Sequence, residues 1–186
     1  MTFIATKRPI GHGHGAPADS FLELEIAWAK SEDPIVFAPN ANRDIYSLIA
    51  PVLAPQGWTS ALHRRAGLCE VLRVLAGDES DWAWQCGRDT TAGRQRPEQM
   101  EAGAFQVSYD SRLLGPDLQA FLLARGITDA WSFQSRVKAD PVLDLAYTGR
   151  LLREEYRRWD GPINRGWIAA QVSPAAVDEF ERLLTA

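Results

Sequence analysis

The chain has 186 residues, 24% charged and 46% hydrophobic, with a formal net charge of -4 and a sequence pI near 5.4. That length fits one domain able to bury a core without staples, and seven Trp within 10% aromatic residues exceed what a disordered chain carries. No window approaches the roughly 20 apolar residues of a membrane span, so no membrane insertion is expected, and the mild acidity argues against a nucleic-acid partner held by charge.

The opening, MTFIATKRPIGHGHG, places basic residues before no apolar stretch of ~7–15 residues, so no secretory signal is read there. Residues 1–18, punctuated by Pro9, Gly11, Gly13, Gly15 and Pro17, read as a flexible N-terminal arm, and 19–186 as a single domain. His12 and His14 in the arm have no third ligand nearby, so a tail is preferred to a metal site. Asp19 or Ser20 caps a segment through about Lys30 whose Leu22, Leu24, Ile26 and Trp28 alternate, leaving helix against strand open. Asn42 caps a second helix, Arg43 to Ala50, stopped by Pro51 and Pro55.

The clearest helix starts near Ser60. Leu62, Arg65, Leu68, Val71, Leu72 and Leu75 recur at helical spacing, and a break is expected at Gly77. Residues 82–112 read as turns and short strands, with one strand over Ala104 to Ser108. Gly115-Pro116-Asp117 opens a helix through about Arg125, stopped by Gly126. Pro141 opens a longer one through Trp159, ended at Gly161-Pro162, and Ser173-Pro174 starts a last helix with Val177, Phe180, Leu183 and Leu184 inward. The fold class is mainly α (α+β), with one small β-rich insert after the central helix.

The sequence holds no G-x-S-x-G, C-x-x-C, H-E-x-x-H or P-loop. With three His, two of them in the arm, a His-based triad or zinc site is not expected. Cys69 and Cys86 can form one bridge at most, and two free thiols is the preferred reading. If the chain is an enzyme, carboxylates must carry the chemistry. Glu79, in Leu75-Ala76-Gly77-Asp78-Glu79-Ser80-Asp81-Trp82, stands at the end of the central helix beside Trp82 and Trp84. Partial desolvation there raises a carboxyl pKa, as a general acid near neutral pH requires, and Asp78 and Asp81 push the same way. The plain alternative is a solvated acidic helix end without a task.

A second segment, Glu101-Ala102-Gly103-Ala104-Phe105-Gln106-Val107-Ser108, follows a short excursion beyond Glu79. Together, Glu79-Ser80 and Gly103-Ala104-Phe105-Gln106-Val107 resemble the goose-type lysozymes and soluble lytic transglycosylases of the lysozyme-like superfamily. Their signature is a catalytic Glu-Ser ending a central helix, then a G-x-x-Q-[VI] strand. Here Phe105 stands where Met is usual. The resemblance covers about residues 60–160, with the helix opened at Asp140-Pro141 matching the family's next core helix. It departs late in the domain, where Ala169-Ala170-Gln171 occupies the place of an A-Y-N motif; Tyr147, in Leu145-Ala146-Tyr147-Thr148-Gly149, looks similar but falls on another helix.

The resemblance implies a lysozyme-like fold and a muramidase that cleaves the β-1,4 bond between N-acetylmuramic acid and N-acetylglucosamine in peptidoglycan. Glu79 would be the general acid, Ser80 its signature neighbour, and Gln106 part of the cleft floor. In an inverting glycosidase a base carboxylate stands roughly 6.5–9.5 Å from the acid. Asp89, ten residues after Glu79 on the excursion where such lysozymes place an Asp, is preferred as base, with Glu101 the close runner-up. Trp84, Ser108, Tyr109 and Tyr147 complete the candidate substrate contacts, since aromatic faces stack on sugar rings. Trp82 is read as core, as are Tyr156, Trp159 and Trp167; Arg153, Arg157 and Arg158 with Glu154 and Glu155 read as a solvated helix face.

No metal or organic cofactor is implied. The expected partners are peptidoglycan glycan strands and, for an exported antibacterial enzyme acting in the periplasm or cell wall without a recognisable signal peptide, a cognate inhibitor. A lytic transglycosylase giving 1,6-anhydro product, a chitinase-like relative and a non-catalytic glycan-binding module are the alternatives.

Overall fold

In the computed structural model, residues 1–11, 13–40, 43–87, 96–154 and 166–186 are described. Helices α1 (Asp19–Ser31), α2 (Ile45–Leu53) and α3 (Ala61–Ser80) precede a two-stranded antiparallel sheet of β1 (Glu101–Ala102) and β2 (Val107–Ser108), in register Glu101↔Ser108 and Ala102↔Val107. Five helices follow: α4 (Pro116–Leu123), α5 (Ala130–Ala139), α6 (Pro141–Leu151), α7 (Trp167–Gln171) and α8 (Pro174–Thr185). The described residues are mainly helical with one small sheet, as the patterning implies. None of the described helices is long and apolar enough to cross a membrane.

The organising element is α3. Ser60 caps it, its hydroxyl accepting from the His63 N–H at 2.9 Å. From Ala66 to Gly77 every residue is buried, because α1, α2, α6, α7 and α8 all pack against it. A helix enclosed on every side must satisfy its polar residues internally. Glu70 and Arg73 do so as a pair, with Arg73 Nε to Glu70 Oε2 at 2.7 Å and Nη2 to Oε1 at 2.9 Å. Glu70 Oε1 also accepts from the Ser173 N–H at 2.9 Å, which ties the start of α8 to the core.

The helix continues past Gly77, where a break was expected, and this correction positions the site. A side chain at Gly77 would collide with Ile10 and with the Trp82 ring, both of which lie against the helix at that point. The glycine is therefore there for close approach rather than for termination. The helix stops three residues later, when Asp81 turns left-handed (φ 54°, ψ 38°) and the Trp82 N–H reaches back to the Ala76 carbonyl at 3.0 Å.

Other boundaries also differ. The first segment is helical, its Phe21, Leu22, Glu25, Ile26, Trp28 and Ala29 facing inward. Asn42 lies outside the described residues; the cap of α2 is Asp44, which accepts from the Ser47 N–H at 3.0 Å. Pro51 sits inside α2, where a missing N–H near the C-terminus costs one helical bond without ending the turn. The expected strand over Ala104 to Ser108 is shorter, because Gly103 (φ 81°) and Gln106 (φ 47°) make Gly103–Gln106 the turn between β1 and β2. The helix opened by Pro141 ends at Leu151 rather than Trp159; Tyr156 and Trp159 are outside the described residues. Unanticipated α5 is capped by Asp129, which accepts from the Trp131 and Ser132 N–H groups, and buries Phe133, Gln134 and Val137.

The segment read as a flexible arm is held against the body. Thr6 is fully buried, its N–H and hydroxyl both donating to Glu179 Oε2 at 2.8 Å. Ile10 joins the core, and the Gly11 N–H donates to Gln171 Oε1 at 3.0 Å. Burial pushes Glu179 up, but the hydrogen bonds from Thr6 and Ile4 hold it below the usual carboxylate value.

Candidate active site

Asp78, Glu79 and Ser80 form the last turn of α3, where the helix emerges from full burial into partial exposure. Burial pushes the Glu79 carboxyl up to about 7, and the nearby charges of Asp78 and Glu101 add to the rise. This carboxyl therefore stands half protonated near neutral pH, the poise a general acid needs. Glu101 lies on β1, so the sheet brings a second carboxylate into electrostatic reach of the first.

Ser80 is what joins helix to sheet. Its single hydroxyl proton is shared between the Ala104 carbonyl at 2.8 Å and the Ala76 carbonyl at 3.0 Å, and its oxygen accepts from the Ala83 N–H at 3.1 Å. The two motif segments, separated in sequence by the excursion, thus meet through one side chain. Behind them stands Asp144 on α6, which no motif singled out. Its Oδ2 accepts from the Ala104 N–H at 2.7 Å, and a side chain at Gly103 would collide with it and with Val137. Asp144 is fully buried, and that burial pushes its carboxyl well above the usual value, against the hydrogen bond from the Ala104 N–H. The one available signal was a lone Asp within the apolar run Leu143 to Tyr147.

The backbone at this place is unusual. Among the described residues, only Asp81, Trp82 and Gln106 are non-glycine residues with positive φ, and all three lie within two residues of Ser80 or Ala104, which the hydrogen bond joins. Each such conformation costs on the order of 1–3 kcal/mol and persists where surrounding structure over-determines it, commonly at functional sites. The tie at Trp82 is its indole, which donates to the Arg73 carbonyl at 2.8 Å. At Gln106 it is the side-chain amide, donating to the Gly103 carbonyl at 2.9 Å while the residue stays half-buried. Next to the helix end, His14 Nδ1 lies 2.6 Å from Asp81 Oδ1, with Nε2 4.0 Å from Asp78 Oδ1.

The remaining sequence candidates divide. Trp82 is core, as expected. Trp84 is half-buried, with one face stacked on Phe21 (centroids 4.5 Å apart, planes 14° apart) and a T-shaped contact to Phe105, so Phe21 already occupies one of the faces a sugar would use. Ser108 pairs with Glu101 across the sheet and remains half-buried. Tyr109 is buried beneath the Arg112 guanidinium, 3.8 Å from its ring centre. Tyr147 is fully enclosed between Phe121 and Phe133, and its hydroxyl sits 2.7 Å from Ser111 Oγ. Tyr109 and Tyr147 both pack on Phe133 in the interior and present no open face to a ligand. Asp89 lies outside the described residues. Cys69 and Cys86 are both free thiols, Cys69 fully buried in α3 and pushed up by that burial.

No family model, curated protein or solved structure matches the chain.

Proposed function

We propose that the protein is a lysozyme-like glycoside hydrolase that cleaves the β-1,4 bond between N-acetylmuramic acid and N-acetylglucosamine in peptidoglycan, with Glu79 as general acid. The observation that carries this reading is Glu79 itself: a carboxyl at the open end of a buried helix, pushed to about 7 by burial and by the charges of Asp78 and Glu101. The Ser80–Ala104 hydrogen bond adds support, because it joins the two segments on which the resemblance to goose-type lysozymes and soluble lytic transglycosylases rests.

In the proposed reaction Glu79 gives its proton to the glycosidic oxygen as the bond to the anomeric carbon breaks and positive charge develops on the sugar ring. Glu101, whose charge acts on Glu79, would activate water or stabilise that charge; Asp89 keeps its candidacy from sequence. Peptidoglycan lies outside the cytoplasm, so the activity requires export to the periplasm or cell wall, and a producing cell would need a cognate inhibitor.

The test is incubation with purified sacculi and mass spectrometry of the released fragments. Muropeptides with reducing N-acetylmuramic acid ends are expected. Anhydro-muropeptides would convert the reading to a lytic transglycosylase, and no release would overturn the enzyme.

A further inference from the structure

A groove of about 510 Å³ lies between α5 and the turn that follows Glu79. Gln85, Trp131, Gln134, Ser135 and Lys138 line it, with Ala139 at one edge. Trp131 is 62% exposed and, among the described residues, is the only aromatic side chain in the exposed class. The protein has buried or half-buried every other described Phe, Trp and Tyr, so leaving this large indole in water calls for a use.

Its surroundings are polar and fixed. The Trp131 backbone N–H donates to Asp129 Oδ1 at 3.0 Å, which caps α5 and fixes Trp131 in its first turn. Gln134 is nine-tenths buried, and its Nε2 donates to the Pro97 carbonyl at 3.0 Å, which orients the amide. Gln85 and Ser135 are exposed along the walls and offer further donors and acceptors. Lys138 is half-buried and forms no ion pair among the described residues, on a chain whose formal charge is -4. An apolar ring face, amides and hydroxyls at its margin and one cation match a sugar that carries acetamido groups and a carboxylate.

The geometry points to this groove as a second glycan-binding site, in which Trp131 stacks on an N-acetylhexosamine ring and Lys138 receives a carboxylate of the attached lactyl or peptide group. The site would anchor the strand beside Glu79: Gln85 lies on the turn leaving the helix, and the carbonyl of the next residue, Cys86, accepts the Gly103 N–H at 3.1 Å. The identity of the sugar rests on the proposed function. The groove does not require Glu79 to be catalytic.

The experiment uses the full chain with Glu79→Gln, so that bound glycan is not cleaved, and two probes: chitotetraose, which is neutral, and a disaccharide-tetrapeptide muropeptide, which carries carboxylates. Both are expected to shift the indole N–H resonance of Trp131, assigned by Trp131→Phe. Trp131→Ala should weaken both by about tenfold, and Lys138→Met should weaken the muropeptide alone by about fivefold. An unmoved Trp131 resonance, or unchanged affinity in Trp131→Ala, overturns the site; equal affinities in Lys138→Met overturn the carboxylate contact. Sacculi that release fragments while Trp131 does not respond remove this proposal alone. A Trp131 response with no release from sacculi by the unmutated protein removes the hydrolase and leaves the groove.

Discussion

The middle and the end of α3 handle buried carboxylates in opposite ways. Glu70, in the middle, is fully enclosed and meets Nε and Nη2 of Arg73 and the Ser173 N–H, which oppose the upward push of burial. Glu79, two and a half turns on, is only partly enclosed, and the charges next to it are Asp78 and Glu101, of its own sign. A paired acid deep in the core stabilises a particular arrangement of helices. An acid raised by burial and by like charge, at a helix end that reaches the surface, holds a proton it can give away.

Glu25 on α1 sharpens the contrast. It is completely buried, and neither carboxyl oxygen has a hydrogen-bond partner among the described residues. Burial pushes it well above its usual value, against the pull of Arg73. Elevation alone therefore does not mark a site; elevation with an opening does. In linkage terms, a raised folded-state value gives Glu25 a stabilising contribution that is fully present below the ordinary carboxylate range. It is lost as pH rises through the folded-state value.

The comparison can be broken at several points. The largest expected effect is on turnover: Glu79→Gln keeps the shape, removes the proton, and should lower release from sacculi by about 10²–10⁴-fold with thermal stability unchanged. A loss of stability with retained rate would place Glu79 among the structural acids. Next, Arg73→Met should cost about 3–5 kcal/mol of unfolding free energy in denaturant titrations, because Glu70 loses its buried counter-charge and keeps only the Ser173 N–H. A cost under about 1 kcal/mol would mean that the pair does not organise the helix. A smaller effect follows from sign alone. Activity that needs protonated Glu79 should fall as pH rises through about 7. Removing a like charge with Asp78→Asn should move that limb to lower pH, and an unmoved limb would assign it to another group.

Much of this contrast is legible in the sequence, and the missing parts share one cause. Ser60, the apolar spacing to Leu75 and the Glu79-Ser80 pair are local signals, and they locate both the helix and the acid. Gly77 is equally local but misleading: what decides its role is Ile10 and Trp82 arriving from distant parts of the chain. The same holds for the segment around Thr6, where Gly and Pro mark irregular backbone but cannot reveal the Glu179 carboxylate that receives it. Helix α5 does carry local marks, an Asp129 cap and the spacing of Ala130, Phe133 and Val137, blurred by the polar Gln134 on its buried face. Tyr147 resembles a cleft residue by composition, and only the packing of Phe121 and Phe133 around it reveals an interior support.

At the open end of α3, burial and like charge turn one carboxyl into an acid usable near neutral pH. Titrating ¹³C-labelled Glu side chains by NMR, with the Glu79 resonance assigned by its absence in Glu79→Gln, measures this without reference to substrate. A midpoint near 7 is predicted, and a midpoint at the ordinary Glu value of about 4.3 would contradict the account.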